Sequence, residues 1–158
     1  MHKVMLDRQD IRILELLQQD SRVSKLELAD SVNLSPSQCY RRLKRLEDSG
    51  LIEKCVTTLN LEKVGLDVWA IVMVSFSKTV EGAREKVLEK IQALDEVQEC
   101  YSASGEYDFI LRVNSQNMRT FSALINKQLY SQYVLAMHSY ILLERLKYNP
   151  VLPIVASV

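Results

Sequence analysis

The stretch from Ser24 to Gly50, SKLELADSVNLSPSQCYRRLKRLEDSG, leaves this chain the fewest choices of fold. Its spacing predicts two short helices with a tight joint. Lys25 to Val32 forms the first, with Leu26, Leu28, Ala29 and Val32 as an apolar stripe at helical period. Asn33 and Leu34 make the turn. Ser35 is placed to cap the second helix, and Pro36 takes its first position, where a missing N–H leaves no bond unmade. Gly50 ends it, since glycine enters the left-handed conformation of a helix C-terminus without strain.

The second helix has two chemically different sides. Side chains set about 100° apart put Cys39, Leu43 and Leu46 in one arc. Ser37, Arg41, Lys44 and Arg45 fall opposite, with Gln38 on the edge. With Arg42, four basic residues and no acidic one lie between Ser35 and Leu46. This is the helix-turn-helix pattern, in which the start of the second helix reaches base edges and basic side chains neutralise phosphates. Ser35, Ser37, Gln38, Arg41, Arg42, Lys44 and Arg45 are the expected DNA contacts, joined by Ser24 and Lys25 at the start of the preceding helix. The competing reading is a merely solvated charged face, as most charge runs are. The preceding helix, the turn length and the unbroken positive sign favour DNA.

Composition narrows the class further. The 158 residues are 47% hydrophobic and 25% charged, which suits one or two small globular domains. No apolar run is long enough to span a bilayer, and MHKVMLDRQD is not of signal-peptide type, so a cytoplasmic protein without membrane contact is expected. Cys39, Cys55 and Cys100 are odd in number and widely spaced. They are expected to be buried hydrophobes, neither disulfides nor zinc ligands. The formal net charge is zero, with residues 1–50 at +1. Positive charge is concentrated only on the second helix. Such a small footprint binds weakly at cellular salt, which predicts a dimer or larger assembly presenting several copies.

Along the chain, Asp7 to Gln19 reads as a helix with Ile11, Leu14 and Leu17 on one side, broadened by Ile13 and Leu16. Asp7 and Asp10 suit its positively polarised start. Ser24 can cap the next helix. Leu51 to Leu59 has strand character and is expected to form a short wing and the start of a linker that ends at Gly65. Then follow a strand over Val68–Ser77, a helix over Gly82–Leu94, a strand over Val97–Ala103, a turn over Ser104–Glu106 and a strand over Tyr107–Val113. A helix over Met118–Leu129, with Met118, Phe121 and Ile125 on one side, precedes a last strand over Val134–Leu146. The order β-α-β-β-α-β is the ferredoxin-like split arrangement, with both helices on one face of a four-stranded sheet. The fold class is therefore α+β: a winged helix-turn-helix domain (1–59), a strand linker (60–66) and a ferredoxin-like domain (67–158).

One face of that sheet needs a second cover. Trp69, Ile71 and Met73 point away from Ala70, Val72, Val74 and Phe76, so the first strand is apolar on both sides, and so is VLAMHSYILL. Two helices cover one side only. The simplest cover for the other is the same sheet of a second copy, each extra buried side chain contributing ~1.5–3 kcal/mol.

This order of parts resembles the leucine-responsive / asparagine regulator family (Lrp/AsnC). The resemblance is carried by LELADSVNLSPSQCYRRLKRLEDSGLI and SGEYDFILRV, and it covers about Leu6 to Lys147. LSPSQCYRRLKRLE is its most specific part. The resemblance implies a DNA-binding domain joined to an amino-acid-sensing domain, with dimers assembling into tetramers, octamers or larger rings and the effector between dimers. The family's turn motif falls on Gly105, Glu106, Tyr107 and Asp108, beside Ser104. Gly105 lets the backbone approach a ligand, exposed N–H groups there could hold an α-carboxylate, and Asp108 would suit an α-ammonium. Tyr101, Met118, His138 and Ser139 match positions lining the effector cleft. From the residues alone an ordinary hairpin turn is the favoured reading, and only the resemblance makes Asp108 an effector contact. Departures from the family pattern are Gln132, Tyr133 and Val134 where it often has Pro-Gly-Val, and Met137 and Ser139 where it often has two Thr.

The expected function is sequence-specific DNA-binding regulation of transcription, responsive to a small molecule, most simply an amino acid. The alternative is an architectural nucleoid protein wrapping DNA without an effector. An enzyme is not expected. His2 and His138 lie in no nucleophile, metal or acid–base pattern, the glycines form no phosphate loop, and no cofactor is implied.

Overall fold

A computed structural model describes residues 5–154. The chain divides into two compact units: one comprises the chain up to Thr58 together with the chain from Lys147 on, the other Leu59–Leu146. The sequence reading keeps 67–158 in one domain. In the structure the last stretch groups with the helices instead.

The first unit holds α1 (Arg8–Gln19), α2 (Lys25–Ser31) and α3 (Pro36–Asp48). Each begins with a reciprocal capping box, Asp7 with Asp10, Ser24 with Glu27, and Ser35 with Gln38. Such a box satisfies two otherwise unpaired N–H groups at a helix start. The α2–α3 turn needs one left-handed residue, Asn33 at φ 53°. Asparagine tolerates that conformation better than most side-chain-bearing residues. Gly50 follows α3 at φ 75°. Ile13, Leu14, Leu28, Ala29, Val32, Cys39, Leu43 and Leu46 form the core. Leu26 does not belong to the stripe expected of it. It is 63% exposed, because it lies about 200° around the helix from Leu28.

The expected wing is absent: no strand occurs between Leu51 and Asp67. A strand needs a partner edge, and the rest of this unit is helical. The linker instead contains a 3-10 turn over Glu62–Val64, started by the Asn60 side chain accepting from the Lys63 N–H at 3.0 Å.

The C-terminal stretch lies on the helical core. The Gln18 side-chain amide makes two bonds with the Leu152 backbone, accepting from its N–H at 2.6 Å and donating to its carbonyl at 3.3 Å. Ile154 packs against the core.

The second unit is β1 (Val68–Phe76), α4 (Ala83–Gln92), β2 (Val97–Ser102), β3 (Phe109–Ser115), α5 (Met118–Ala123) continued by a π-helical turn over Leu124–Leu129, and β4 (Val134–Leu142). The antiparallel sheet runs β2-β3-β1-β4, the ferredoxin-like order. Val68, Ala70, Val72 and Val74 face α4 and α5 and pack with Val87, Ile91, Phe109, Leu111, Val113, Phe121, Leu124 and Leu129.

Two expectations change here. β4 stops at Leu142, which pairs with Trp69 near the start of β1, so residues 143–146 have no strand to pair with. Met118 is 53% exposed and outside the core. The π turn brings Leu124 and Leu129, five apart, onto the buried side in its place, as the wider i→i+5 repeat requires.

By register, Trp69, Ile71 and Met73 share the other sheet face with Ile110, Arg112, Glu99, Tyr101, His138, Tyr140 and Leu142. No helix covers it. Trp69 carries the Arg145 guanidinium 4.0 Å from its ring centroid.

Removing residues 151–158 takes the Gln18–Leu152 bonds and the Ile154 contact from the helical unit. The expected loss is about 1–3 kcal/mol, read as a thermal midpoint several degrees lower and as faster amide exchange confined to α1 and its neighbours.

Candidate nucleic-acid interface and effector turn

The outer side of α3 is less uniformly positive than its sequence. Arg41 and Lys44 are exposed and form no ion pair among the described residues. Arg42 and Arg45 do. The Arg42 guanidinium donates to Asp7 at 2.6 Å and to Asp10 at 2.9 Å, and Arg45 donates to the second Asp10 oxygen. Asp10 is buried, its side chain only 1% exposed, and it also accepts the Asp7 N–H at 3.1 Å. A carboxylate so far out of water persists only when charge-paired and hydrogen-bonded. Each Asp10 oxygen meets that condition with an arginine. Two of the four expected phosphate contacts therefore also tie α3 to α1.

Around this cluster the titration behaviour has clear causes. Partial desolvation pushes the Asp7 carboxyl up, but the Asp10 N–H and the Arg42 guanidinium outweigh it and hold the group below its ordinary 3.8. Hydrogen bonds to Asp7 and then Asp10 raise Arg42 in turn. Burial pushes the Cys39 thiol up, consistent with a packed core residue, whereas Cys55 and Cys100, expected to be buried as well, are exposed.

The other expected DNA contacts are held at helix starts. Ser35 Oγ accepts from the Gln38 N–H at 3.3 Å and lies 3.2 Å from Ser37 Oγ, while Gln38 Oε1 accepts from the Ser35 N–H at 3.2 Å. Ser24 caps α2, and Lys25 Nζ sits 4.8 Å above the ring of Tyr40 on α3. These residues set the geometry of the start of α3, and all are exposed.

In the second unit, the turn over Ser104–Asp108 is held by the end of β1. The Asp108 N–H donates to the Val74 carbonyl at 3.0 Å, Ser75 Oγ donates to the Glu106 carbonyl at 2.9 Å, and the Phe76 N–H donates to the Asp108 carboxylate at 3.1 Å. Lys78 lies 3.6 Å from the other Asp108 oxygen. Gly105 has φ 154°, which residues with a side chain rarely adopt. Asp108 is thus already engaged within the chain, not poised bare for an ammonium group.

The remaining effector candidates divide between the two sheet faces. His138 lies against Tyr107 with ring centroids 5.4 Å apart and the two rings tilted by 56°. Tyr101, on the same open face, donates its hydroxyl to Glu99 at 2.9 Å, a bond that raises its pKa. Ser139 follows His138 along β4 and so points to the opposite face, the helix side on which Met118 also lies. One chain alone does not gather all nine candidates into one cleft.

Sequence reasoning missed Asp10, Ser75 and Lys78. The i, i+3 spacing of Asp7 and Asp10 signals a capping box, but only tertiary placement reveals that Asp10 meets α3. Among the described residues, no cluster of His, Cys, Asp or Glu could hold a metal, and no helix is long and apolar enough to cross a membrane.

A tri-helical unit with an exposed recognition helix, followed by a four-stranded α+β unit, defines a two-part DNA-binding regulator with a ligand-binding domain. Residues 6–53 match the family described as winged helix-turn-helix DNA-binding, and residues 69–152 match the Lrp/AsnC ligand binding domain. The chain belongs to the Lrp/AsnC family of transcriptional regulators. It is 34% identical over 122 residues to the transcriptional regulator AzlB of Bacillus subtilis, covering 77% of this chain and 78% of that one. It is 35% identical over 154 residues to the transcriptional activator DecR of Escherichia coli, covering 95% and 99%. A transcriptional regulator of Neisseria meningitidis, solved as an L-Met complex, superposes with TM-score 0.89 at 36% identity, covering 94% of this chain and 96% of that one.

Acid should destabilise the helical unit in a defined direction. A carboxyl depressed in the folded state contributes stability above its unfolded value, and that contribution is lost as pH falls through the lower folded value. The Asp7 contribution is thus complete above its ordinary 3.8 and disappears below it. Asp7→Asn is expected to flatten this acid limb in denaturant midpoints measured against pH.

Proposed function

We propose that the protein regulates transcription as a homodimer or larger ring that places several α3 helices in successive major grooves, and that an α-amino acid binding at the Ser104–Asp108 turn shifts its assembly or DNA affinity. The observation carrying this reading is the braced turn, set in a fold that superposes on a regulator solved with L-Met. Gly105 supplies the open backbone for an α-carboxylate. Asp108 holds the turn in shape and shares its charge with Lys78, and Tyr101, Tyr107 and His138 flank the turn from the open face. Met118 and Ser139, on the helix side, belong to the same effector site only if a neighbouring copy completes it. DNA contacts fall to Ser24, Lys25, Ser35, Ser37, Gln38, Arg41, Arg42, Lys44 and Arg45. A cytoplasmic location fits a role on DNA.

The effector acts only through different affinity for two states of the assembly. Several kcal/mol of such preference is needed to move a population from mostly one state to mostly the other, and equivalent sites in a ring supply it jointly.

Calorimetry against the proteinogenic amino acids, methionine first, tests the effector assignment, with footprinting on genomic fragments as its second half. The expected result is saturable binding of at least one amino acid and discrete protected half-sites spaced by about one helical turn. Continuous protection with no amino-acid binding supports the architectural alternative instead. Asp108→Ala is expected to lower amino-acid affinity tenfold or more and leave effector-free DNA binding within about twofold. Unchanged calorimetric affinity rejects the turn as the site.

The open sheet face supports the assembly. Trp69→Asp places a charge among Ile71, Leu142 and their neighbours. It is expected to convert the dimer to monomers in sedimentation velocity, and a variant sedimenting like wild type excludes this face as the interface.

A further inference from the structure

The arginines of α3 and the start of α1 enclose an open recess of about 380 Å³ lined by Asp7, Arg41, Arg42 and Arg45. Beside it the buried Asp10 carboxylate holds Arg42 with one oxygen and Arg45 with the other. Arg45 spends one terminal nitrogen on Asp10 and its side chain remains 51% exposed. A guanidinium has five N–H donors in a rigid fork, so Arg45 can bond a carboxylate with one edge and an oxyanion with another. Arg41 stands on the same recess with no carboxylate partner among the described residues.

We propose that this recess seats one phosphodiester of the DNA backbone between Arg41 and Arg45, and that Asp10 is the positioning residue that holds Arg45, with Arg42 beside it, ready for that phosphate. The proposal rests on the reading of α3 as the DNA-binding helix and adds a specific seat and its support. A long arginine side chain loses rotamer freedom when it grips a phosphate. Here Asp10 has already restricted Arg45 in the free protein, so less is lost on binding. The four charges of Asp7, Asp10, Arg42 and Arg45 cancel. Arg41 supplies the net attraction, and the clamped fork supplies the geometry.

Two effects of removing Asp10 have opposite signs. Asp10→Asn makes the unit more positive by one charge, which by long-range attraction alone tightens binding to any DNA. Loss of the clamp loosens it. If Asp10 positions Arg45, the second effect wins at contact distance.

The test is fluorescence anisotropy of the full chain on a mixed-sequence duplex over a series of salt concentrations, at a temperature where circular dichroism shows every variant folded. Asp10→Asn is expected to bind about five- to tenfold more weakly despite its added positive charge. Its slope of log affinity against log salt should be shallower by about one unit per bound protomer, the signature of one lost phosphate contact. Arg45→Ala should behave the same way, and the Asp10→Asn/Arg45→Ala double variant should lose nothing beyond Arg45→Ala alone. A purely structural Asp10 lowers the thermal midpoint and leaves the slope of the folded protein unchanged. Should Asp10→Asn not fold, Arg41→Ala, exposed and outside the ion pairs, carries the test with its own loss of about one unit of slope.

Equal or tighter binding by Asp10→Asn, or additive losses in the double variant, overturns the positioning role. Wild-type slopes in both Arg41→Ala and Arg45→Ala overturn the phosphate seat while DNA binding by α3 stands. A wild-type protein that does not bind duplex at low salt overturns both. A recess serving a free oxyanion is recognised by thermal stabilisation with millimolar inorganic phosphate, lost in Arg41→Ala, together with a wild-type DNA slope in that variant. That result also overturns the assignment to DNA.

Discussion

Strand β1 is the constraint on which the second unit depends. It pairs with β3 on one side and β4 on the other, so its backbone is satisfied along its length and its side chains serve two surfaces in strict alternation. Val68, Ala70, Val72 and Val74 anchor the helix-side core, while Trp69, Ile71 and Met73 form the middle of the open face. At its end, where the pairing with β4 shifts between Ser75 and Phe76, the strand gives its remaining bonding groups to the Ser104–Asp108 turn. The core, the open sheet face and the turn proposed for the effector are thus set by one nine-residue element. A displacement of β1 by one residue would exchange the two surfaces and detach the turn.

The helical unit follows a different rule, because it is small and its binding surface must stay in water. Its fold depends on the stripe of Leu28, Ala29, Val32, Cys39, Leu43 and Leu46, and its helix ends on three capping boxes. The buried Asp10 couples this packing to the surface. Opposite charges that link α1 to α3 also restrain arginines at the edge of the side proposed to face DNA. Stability and binding geometry therefore share residues, and a substitution there is read correctly only when the two are measured separately.

Much of this was legible in the chain because it is local chemistry. Ser35-Pro36 and the arc Cys39, Leu43, Leu46 define α3 unaided, and the order of apolar runs yields the sheet topology. What the sequence concealed was non-local. The segment after Gly50 has strand-forming residues yet no edge to pair with. Met118 fits an α-helical stripe yet lies exposed at the first position of α5, while Leu124 and Leu129 of the following π turn are buried. Asp10 looked like a residue that favours a helix start, since nothing in α1 reveals that Arg42 and Arg45 will arrive over thirty positions later. Asp108, legible through resemblance as a ligand contact, proves to be bonded to Phe76 first.

The return of the chain after Leu146 has a mechanical consequence. The sheet unit is inserted between Thr58 and Lys147 of the helical one, and Gln18 fastens the far end at Leu152. A single cut in either connection therefore leaves the sheet unit still joined by covalent chain to part of the helical one.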